Sequence, residues 1–519
     1  TAEAGSVIDA SATENGDGGT VVLWSDIYDA DSITIANGTL IAEAGLSGGD
    51  GGNIETSGAL LELSDISIST NSIHGQTGLW LLDPTNDLWL ANVGDTDGNI
   101  ENSTETSVIT TALNSSDVRV YTDSSDIYIT SDIIYTGNNY FTVDSGGALH
   151  IRADIKAGGI SLLAKDEVLI DTVAVELTAN RASNSLGQVV ISSDSDGNAY
   201  GTNRFDQALT ITTNGGDVYI GGGNTSGTGY GNSNNWEGIE FTGLTINTNG
   251  GDVNIRGESD SASGLRFASG TTINTSGGNV YMRGETEDNA GIYFVSDTSI
   301  NSGSGTIYLE GYNTTSNSVY GIYTNESFNH TFQSSNTTTD AIKLVGHSDN
   351  NRGLQLYGDV KIYATGANGG ITLETNGTAS SDHSILFSGG STEILAHSGP
   401  ILFDVKQAAG STDLYINNKN VYLGSKSGTS VTTSSSDITI RGNLFNFNTY
   451  NPNIATTGIF TLEPVSTSTS FGQNVSTSWW SWNQNNQTLS GLTFGKSGNT
   501  RNITHETNDL TVNGPVNFY

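Results

Sequence analysis

Leu209-Thr-Ile-Thr-Thr-Asn-Gly-Gly-Asp-Val-Tyr-Ile, Leu244-Thr-Ile-Asn-Thr-Asn-Gly-Gly-Asp-Val-Asn-Ile, Thr271-Thr-Ile-Asn-Thr-Ser-Gly-Gly-Asn-Val-Tyr-Met and Thr298-Ser-Ile-Asn-Ser-Gly-Ser-Gly-Thr-Ile-Tyr-Leu are four versions of one segment, starting 35, 27 and 27 residues apart. Each closes on a glycine at one offset, Gly222, Gly257, Gly284 and Gly311. A third short apolar stretch follows in each, beginning at Gly238, Gly264, Gly291 and Gly321. Repetition at this period marks a solenoid. Within a repeat the apolar residues alternate, as a strand with one buried face requires. Ile211, Ile246, Ile273 and Ile300 share one position, and Val218, Val253, Val280 and Ile307 a second. Asn-Gly-Gly between the first two strands supplies a tight corner. Three strands and three corners per coil predict an all-β, right-handed parallel β-helix of roughly triangular section, with about 27 residues per coil in the regular region. Among these four repeats, length varies at one corner, between the closing glycine and the third strand.

The same strand grammar extends outward in both directions. Residues 1–92 form an opening segment, 93–208 irregular coils, 209–345 the regular coils, 346–455 degenerate coils and 456–519 Trp-containing terminal coils, together one continuous solenoid. Gly, Ser, Thr and Asn dominate the composition, and poor helix formers leave little prospect of helix. The 55 acidic residues against 18 Lys and Arg give a net charge of -37. That balance excludes a phosphate-backbone partner, so no nucleic acid is expected, and it disfavours anionic membrane surfaces. No apolar run approaches a bilayer span, so no membrane insertion is expected. With no Cys, disulfides and thiolate metal sites are excluded.

The first ninety residues carry a more specific signal. Gly19-Thr-Val-Val-Leu-Trp-Ser-Asp26, Gly48-Gly-Asp-Gly-Gly-Asn-Ile-Glu-Thr-Ser-Gly58 and Gly75-Gln-Thr-Gly-Leu-Trp-Leu-Leu-Asp-Pro-Thr-Asn86 come in that order. Together they resemble the filamentous-haemagglutinin-like family of bacterial exoproteins exported by two-partner secretion. Leu489-Ser-Gly-Leu-Thr-Phe-Gly-Lys-Ser-Gly-Asn-Thr500, followed by Gly514-Pro-Val-Asn-Phe-Tyr519, is similar to a later segment of some such proteins. The resemblance covers about a quarter of the chain. The family's amino-terminal secretion domain has no counterpart here, and Thr1-Ala2-Glu3-Ala4-Gly5 reads as a processed or excised start. The resemblance implies a β-helical shaft, an outer-membrane secretion partner, extracellular or cell-surface localisation, and adhesive or structural work.

Candidate chemistry is sparse. Asp29/Asp31, Asp95/Asp97 and Asp194/Asp196 are i, i+2 carboxylate pairs of the kind a glycosidase holds across a cleft. Asp95-Thr-Asp-Gly-Asn and Asp194-Ser-Asp-Gly-Asn read equally as solvated turns, or as the front half of a loop for structural calcium. The distal Glu of such a loop is missing: the twelfth position from Asp95 is Thr106. The seven His, among them His74 and His150, form no close pair, and no nucleophile elbow or Walker loop occurs. Tyr230 and Trp236 ride on the longest corner insertion, as ligand contacts or as a loop folded back on the coil. Trp479, Trp480 and Trp482 read either as packing or as an interface or glycan contact. Asn-x-Ser/Thr sequons recur, for example at Asn102, Asn224, Asn313 and Asn336, as expected from composition.

The expectation is therefore a non-enzymatic, secreted structural or adhesive solenoid that needs no cofactor, with a glycan or cell-surface receptor as its partner. Strand-like sequence at both ends adds an expectation of head-to-tail self-association into a homopolymeric fibre. The alternative is a polysaccharide lyase or glycoside hydrolase on a β-helix, by analogy of fold alone.

Overall fold

The computed structural model describes residues 1–519 except 93–101, 199, 224–228, 232–235, 314–319, 349–350, 377–382, 407–411, 419, 466–467 and 507–509, and except the side chains of 229–231. Two compact units divide the chain, Thr1–Tyr230 and Gly231–Tyr519. Each is a parallel β-helix.

The regular coils of the second unit show the plan. Val253–Ser259, Val280–Thr286 and Ile307–Asn313 stack as the first face. Leu265–Phe267, Ile292–Phe294 and Ile322–Thr324 form the second face. Thr271–Asn274 and Thr298–Asn301 belong to the third, on Leu244–Asn247. Val253 pairs with Val280 and Val280 with Ile307, so the 27-residue step of the sequence is the coil itself. Elsewhere in the unit the step runs from 22 residues, between Arg441 and Glu463, to 37, between Asp404 and Arg441. Leu354–Ala364 and Ile385–Ala396 each cover the second and third faces as one strand. Gly358 and Gly389, at φ +83° and +93°, turn the corner inside them.

Every predicted inward column is buried. Ile246, Ile273 and Ile300 are fully buried, as are Ile255, Met282 and Leu309 on the first face. Phe241, Phe267 and Phe294 stack on the second face with ring centroids 5.1 and 4.9 Å apart. At the third corner the buried hydroxyls of Thr248, Thr275 and Ser302 donate to the carbonyls of Gly251, Gly278 and Gly305. This satisfies corner acceptors that would otherwise be stranded in the core.

The two glycine columns read from the sequence meet each other. A Cβ on Gly257 would lie 2.2 Å from the Gly264 carbonyl oxygen, and one on Gly284 would lie 1.8 Å from that of Gly291. Gly311 and Gly346 stand in the same relation to Gly321 and Gly353, at 2.0 Å. At these four necks the variable loop is thus pinched shut by two backbones in contact. Confinement of length variation to this corner fails elsewhere. Residues 180–188 in the first unit and 425–437 in the second lengthen the passage from third face to first.

The first unit follows the same plan, with one exception. Its first face runs from Thr20–Trp24 through Asn53–Gly58, Leu79–Pro84, Asp117–Tyr121, Tyr140–Ser145 and Gly159–Ala164 to Val189–Ser193 and Val218–Gly222. Trp80 points inward, fully buried, and its Nε1–H reaches Thr56 Oγ1 at 3.2 Å. Between Ser67–Ser69 and Ile133–Ile134 on the third face sits an α-helix, Thr106–Ala112, where composition had argued against helix. Its buried Thr106, Val108, Ile109 and Ala112 follow the spacing of one helical face. Tertiary burial here outweighs the poor propensity of its threonines.

If the neck contact holds the loops closed, Gly284→Ala should destabilise the second unit by about 1–3 kcal/mol through overpacking. A methyl group on Gly270 would meet nothing within 4 Å, and its φ is not positive, so Gly270→Ala should be neutral or slightly stabilising. Urea unfolding of the two variants beside the wild type checks the contrast.

Candidate functional site

Alternation on the first face of the second unit points Asn254, Tyr281, Tyr308 and Lys343 outward in one column, and Arg256, Arg283 and Glu310 in the next. A third column holds Glu258, Glu285, Tyr312 and His347. The three columns converge on Glu310, which is only 8% exposed although it lies on the outer face. The hydroxyls of Tyr281, Tyr308 and Tyr312 donate to its carboxylate at 3.1, 3.2 and 2.8 Å. Arg283 lies 3.7 Å away, is also paired with Glu285 at 2.5 Å, and covers the Tyr312 ring at 4.9 Å. Arg256 lies over the Tyr281 ring at 5.1 Å and donates to Asn254. Arg283 is thus flanked by two carboxylates beside its registered partner Arg256.

Burial first, then the Glu310 charge, pushes the Tyr308 hydroxyl up, while burial and the hydrogen bond to Glu310 push Tyr312 up to about 12. At neutral pH these tyrosines are hydrogen-bond donors and not bases. Glu258 is raised as well, by burial and then by Glu285 and Asp260. Further along the face the pairing continues, from Lys343 to Glu374 at 3.0 Å and from Arg441 to Asp404 and Glu463 at 2.7 and 2.8 Å. Burial alone would raise the Asp404 carboxyl, but hydrogen bonds from Lys406 and Arg441 hold it below the usual range.

The second face carries rings. In the first unit Trp89, Tyr128 and His150 stack in register, centroids 4.6 and 4.4 Å apart and nearly parallel. His150 and Arg152 both meet Asp171. In the second unit Tyr293 stacks on Tyr323 at 4.7 Å, with Tyr320 and Tyr357 packed around the pair. Stacked rings spend their faces on one another, so these ladders hold coils together and offer mainly edges to a ligand.

The residues singled out from the sequence fall elsewhere. Trp480 and Trp482, 3% and 4% exposed, pack against Phe460 inside the terminal coils, and Trp482 Nε1–H donates to Thr477 O at 2.7 Å. Trp479 is half-buried against Phe445 and Phe447. Trp236 is half-buried, and its carbonyl accepts from Ser259. The Tyr230 side chain, Asp95, Asp97 and Asn224 lie outside the described residues. Asp194 is buried at φ +50°, whereas Asp196 is exposed and accepts from the Asn198 backbone and side-chain amides. Among the described residues no three His, Asp or Glu side chains are grouped to hold a metal. Asn102 and Asn313 are buried, with their side-chain amides bonded to Asp87 O and Thr286 O.

The Leu-Leu-Asp-Pro-Thr motif contributes one ionisable group of its own. Burial, with Glu55 and Asp123 adding to it, pushes the Asp83 carboxyl from 3.8 up to about 6. A raised carboxyl is a liability when ionised. The destabilisation is complete above about pH 6 and is relieved as the pH falls from there toward 4. Asp83→Asn should therefore raise Tm near neutrality, by about 1–2 kcal/mol of stability because water still screens this half-buried group, with the gain vanishing in acid. Melting curves across this range check it. Glu310→Gln should bring the Tyr312 hydroxyl down from about 12 toward its ordinary 10. Ultraviolet titration of tyrosinate measures that shift.

No protein-family model matches the chain, and no curated protein matches it.

Proposed function

We propose that the protein is a secreted, extracellular structural and adhesive β-solenoid of a bacterial cell surface, delivered through an outer-membrane secretion partner. The observation that supports this most is how the outward side chains are used. Carboxylates, guanidinium groups and rings on the coil faces are bound to one another within a strand and across adjacent coils, giving rigid, regular display surfaces. Among the described residues no helix is long and apolar enough to cross a membrane. The resemblance of the first ninety residues to two-partner-secretion exoproteins points the same way. Contact with a glycan or cell-surface receptor, and head-to-tail self-association into fibres, belong to this proposal.

A second reading, a polysaccharide lyase or hydrolase, draws on Glu258 and Glu285. These carboxylates pair in register on adjacent coils, and one of them is held toward its protonated form. A raised acid beside a second carboxylate is the arrangement of glycoside hydrolysis.

One preparation separates the two readings. The purified chain should bind host-cell or matrix glycans in a solid-phase assay, release no product from acidic or neutral polysaccharides, and form filaments visible by electron microscopy. Turnover that disappears in Glu258→Gln would put the enzyme first, and absence of both binding and filaments would remove the adhesive reading.

A further inference from the structure

A groove of about 340 Å³ opens on the first face of the first unit. Leu79, Asp117 and Tyr140 follow one another along its floor in register, with Arg119 and Thr142 in the adjacent column. Arg181 and Leu186, from the loop before Val189–Ser193, complete its wall. The next residue in the floor column is Gly159, paired with Tyr140. A Cβ there would lie 2.2 Å from Tyr140 Cε2 and 2.6 Å from the Leu186 carbonyl oxygen. Glycine at this position therefore lets the tyrosine ring and the loop close together over the sheet.

The polar groups of the groove are less committed than those of the Glu310 cluster. The Arg181 guanidinium makes no hydrogen bond or salt bridge among the described residues, and the anion whose charge it meets is Asp117. Arg119 gives one nitrogen to Asp144 at 2.5 Å, while its buried Nε has no acceptor among the described residues. Asp117 Oδ1 accepts the Tyr140 backbone N–H at 2.7 Å. Burial raises the Asp117 carboxyl, which the Tyr140 hydrogen bond and Arg181 only partly oppose. Two of the chain's 18 Lys and Arg thus share a groove in a protein of net charge -37.

We infer that this groove is a binding site for a carboxylated sugar residue, a hexuronate unit within a glycan chain. Its volume lies at the small end of ligand pockets and suits one or two sugar rings. The ring of Tyr140 and the side chains of Leu79 and Leu186 offer an apolar surface for the C–H face of a pyranose. Arg181 presents a planar fork that matches a carboxylate. Asp117 and Thr142 stand where sugar hydroxyls need an acceptor and a donor. The Asp117 charge disfavours a dianion such as phosphate and leaves room for a single negative charge. An acidic peptide would satisfy Arg181 but would leave Asp117 and Thr142 without hydroxyl partners. The inference deepens the adhesive proposal only in placing the sugar on a cell-surface or matrix chain. The site itself stands without that proposal.

Calorimetric titration of the full chain with a glucuronate-containing tetrasaccharide, its neutral glucose analogue and a Glu-containing tetrapeptide tests it. The glucuronate saccharide should bind at least tenfold more tightly than either comparison. Arg181→Gln should lower its affinity at least tenfold and Arg181→Lys less, with the circular dichroism spectrum and Tm unchanged. Equal binding of the neutral sugar, preference for the peptide, or no effect of Arg181→Gln would each overturn the assignment. Saccharide binding by a protein that fails to adhere to cells would keep the site and remove the adhesive proposal.

Discussion

Every side chain in a parallel coil has its own equivalent as nearest neighbour, one strand spacing of about 4.8 Å above and below. This single constraint sorts the residues. Apolar columns satisfy it at once, since Ile on Ile or Phe on Phe is a good contact. Aromatic columns gain from it even when they face outward, as Trp89, Tyr128 and His150 do. Charged columns do not. Two like charges at this spacing repel by about 3 kcal/mol at an effective dielectric constant near 20. Arg256 and Arg283 are registered partners, and the second is flanked by Glu285, Glu310 and the ring of Tyr312. The Tyr–Glu310 cluster is therefore first an answer to a stacking problem, and its chemistry follows from that.

The same constraint decides where the chain is free to vary. A residue inserted within a strand would turn the rest of that strand's side chains to the opposite face. Insertions are therefore expelled to corners, and the Gly257–Gly264 and Gly284–Gly291 contacts close the necks of two of the loops. The loop carrying Arg181 and Leu186 uses a different corner, between third and first faces, and it folds back over the sheet. That difference gives the molecule its groove.

Much of this was legible in the residues. The columns through Ile246, Ile273 and Ile300 followed from alternation plus a fixed period, because in a solenoid sequence register and spatial register are the same thing. The two glycine offsets were visible too, but not that they touch, since nothing in a repeat says which corners approach each other. The Thr106–Ala112 helix was hidden because its signal is burial on one face, carried by residues with weak helical preference. Trp479, Trp480 and Trp482 left packing and interface readings equally open, because alternation puts Trp480 and Trp482 on one strand face without saying whether it is the inner one. Trp480 and Trp482 are accommodated by a 3-10 turn, Thr477–Trp479, that brings them inside. The Glu310 cluster did have a signal. Tyr308-Leu-Glu310-Gly-Tyr312 alternates, so both tyrosines share the outward side with the carboxylate, and Tyr281 stands one coil before Tyr308.

The acidity of the chain has a backbone cause. Asp17 accepts the N–H of Asp50, and Asp50 that of Gln76. Asp87 accepts from Asp126, Asp132 from Asp154, and Asp154 from Glu176. In the second unit Asp252 accepts from Asn279, Asp297 from Asn329, Asp359 from Ser391 and Asp437 from Ile459. In each of these pairs a carboxylate near the start of a strand takes the amide proton of its counterpart one coil later. Hydrogen bonds to an ionised acceptor are about twice as strong as neutral ones. The backbone bond from Asn329 accordingly holds the Asp297 carboxyl below its ordinary value. These nine acids take amides and not cations as partners, which helps 55 acidic residues coexist with only 18 Lys and Arg. A carboxylate at the start of a strand reaches the amide of its counterpart in the following coil, a backbone donor that would otherwise face water. Part of the negative charge in this fold thus serves the corners, and cations are placed on the faces and in the groove.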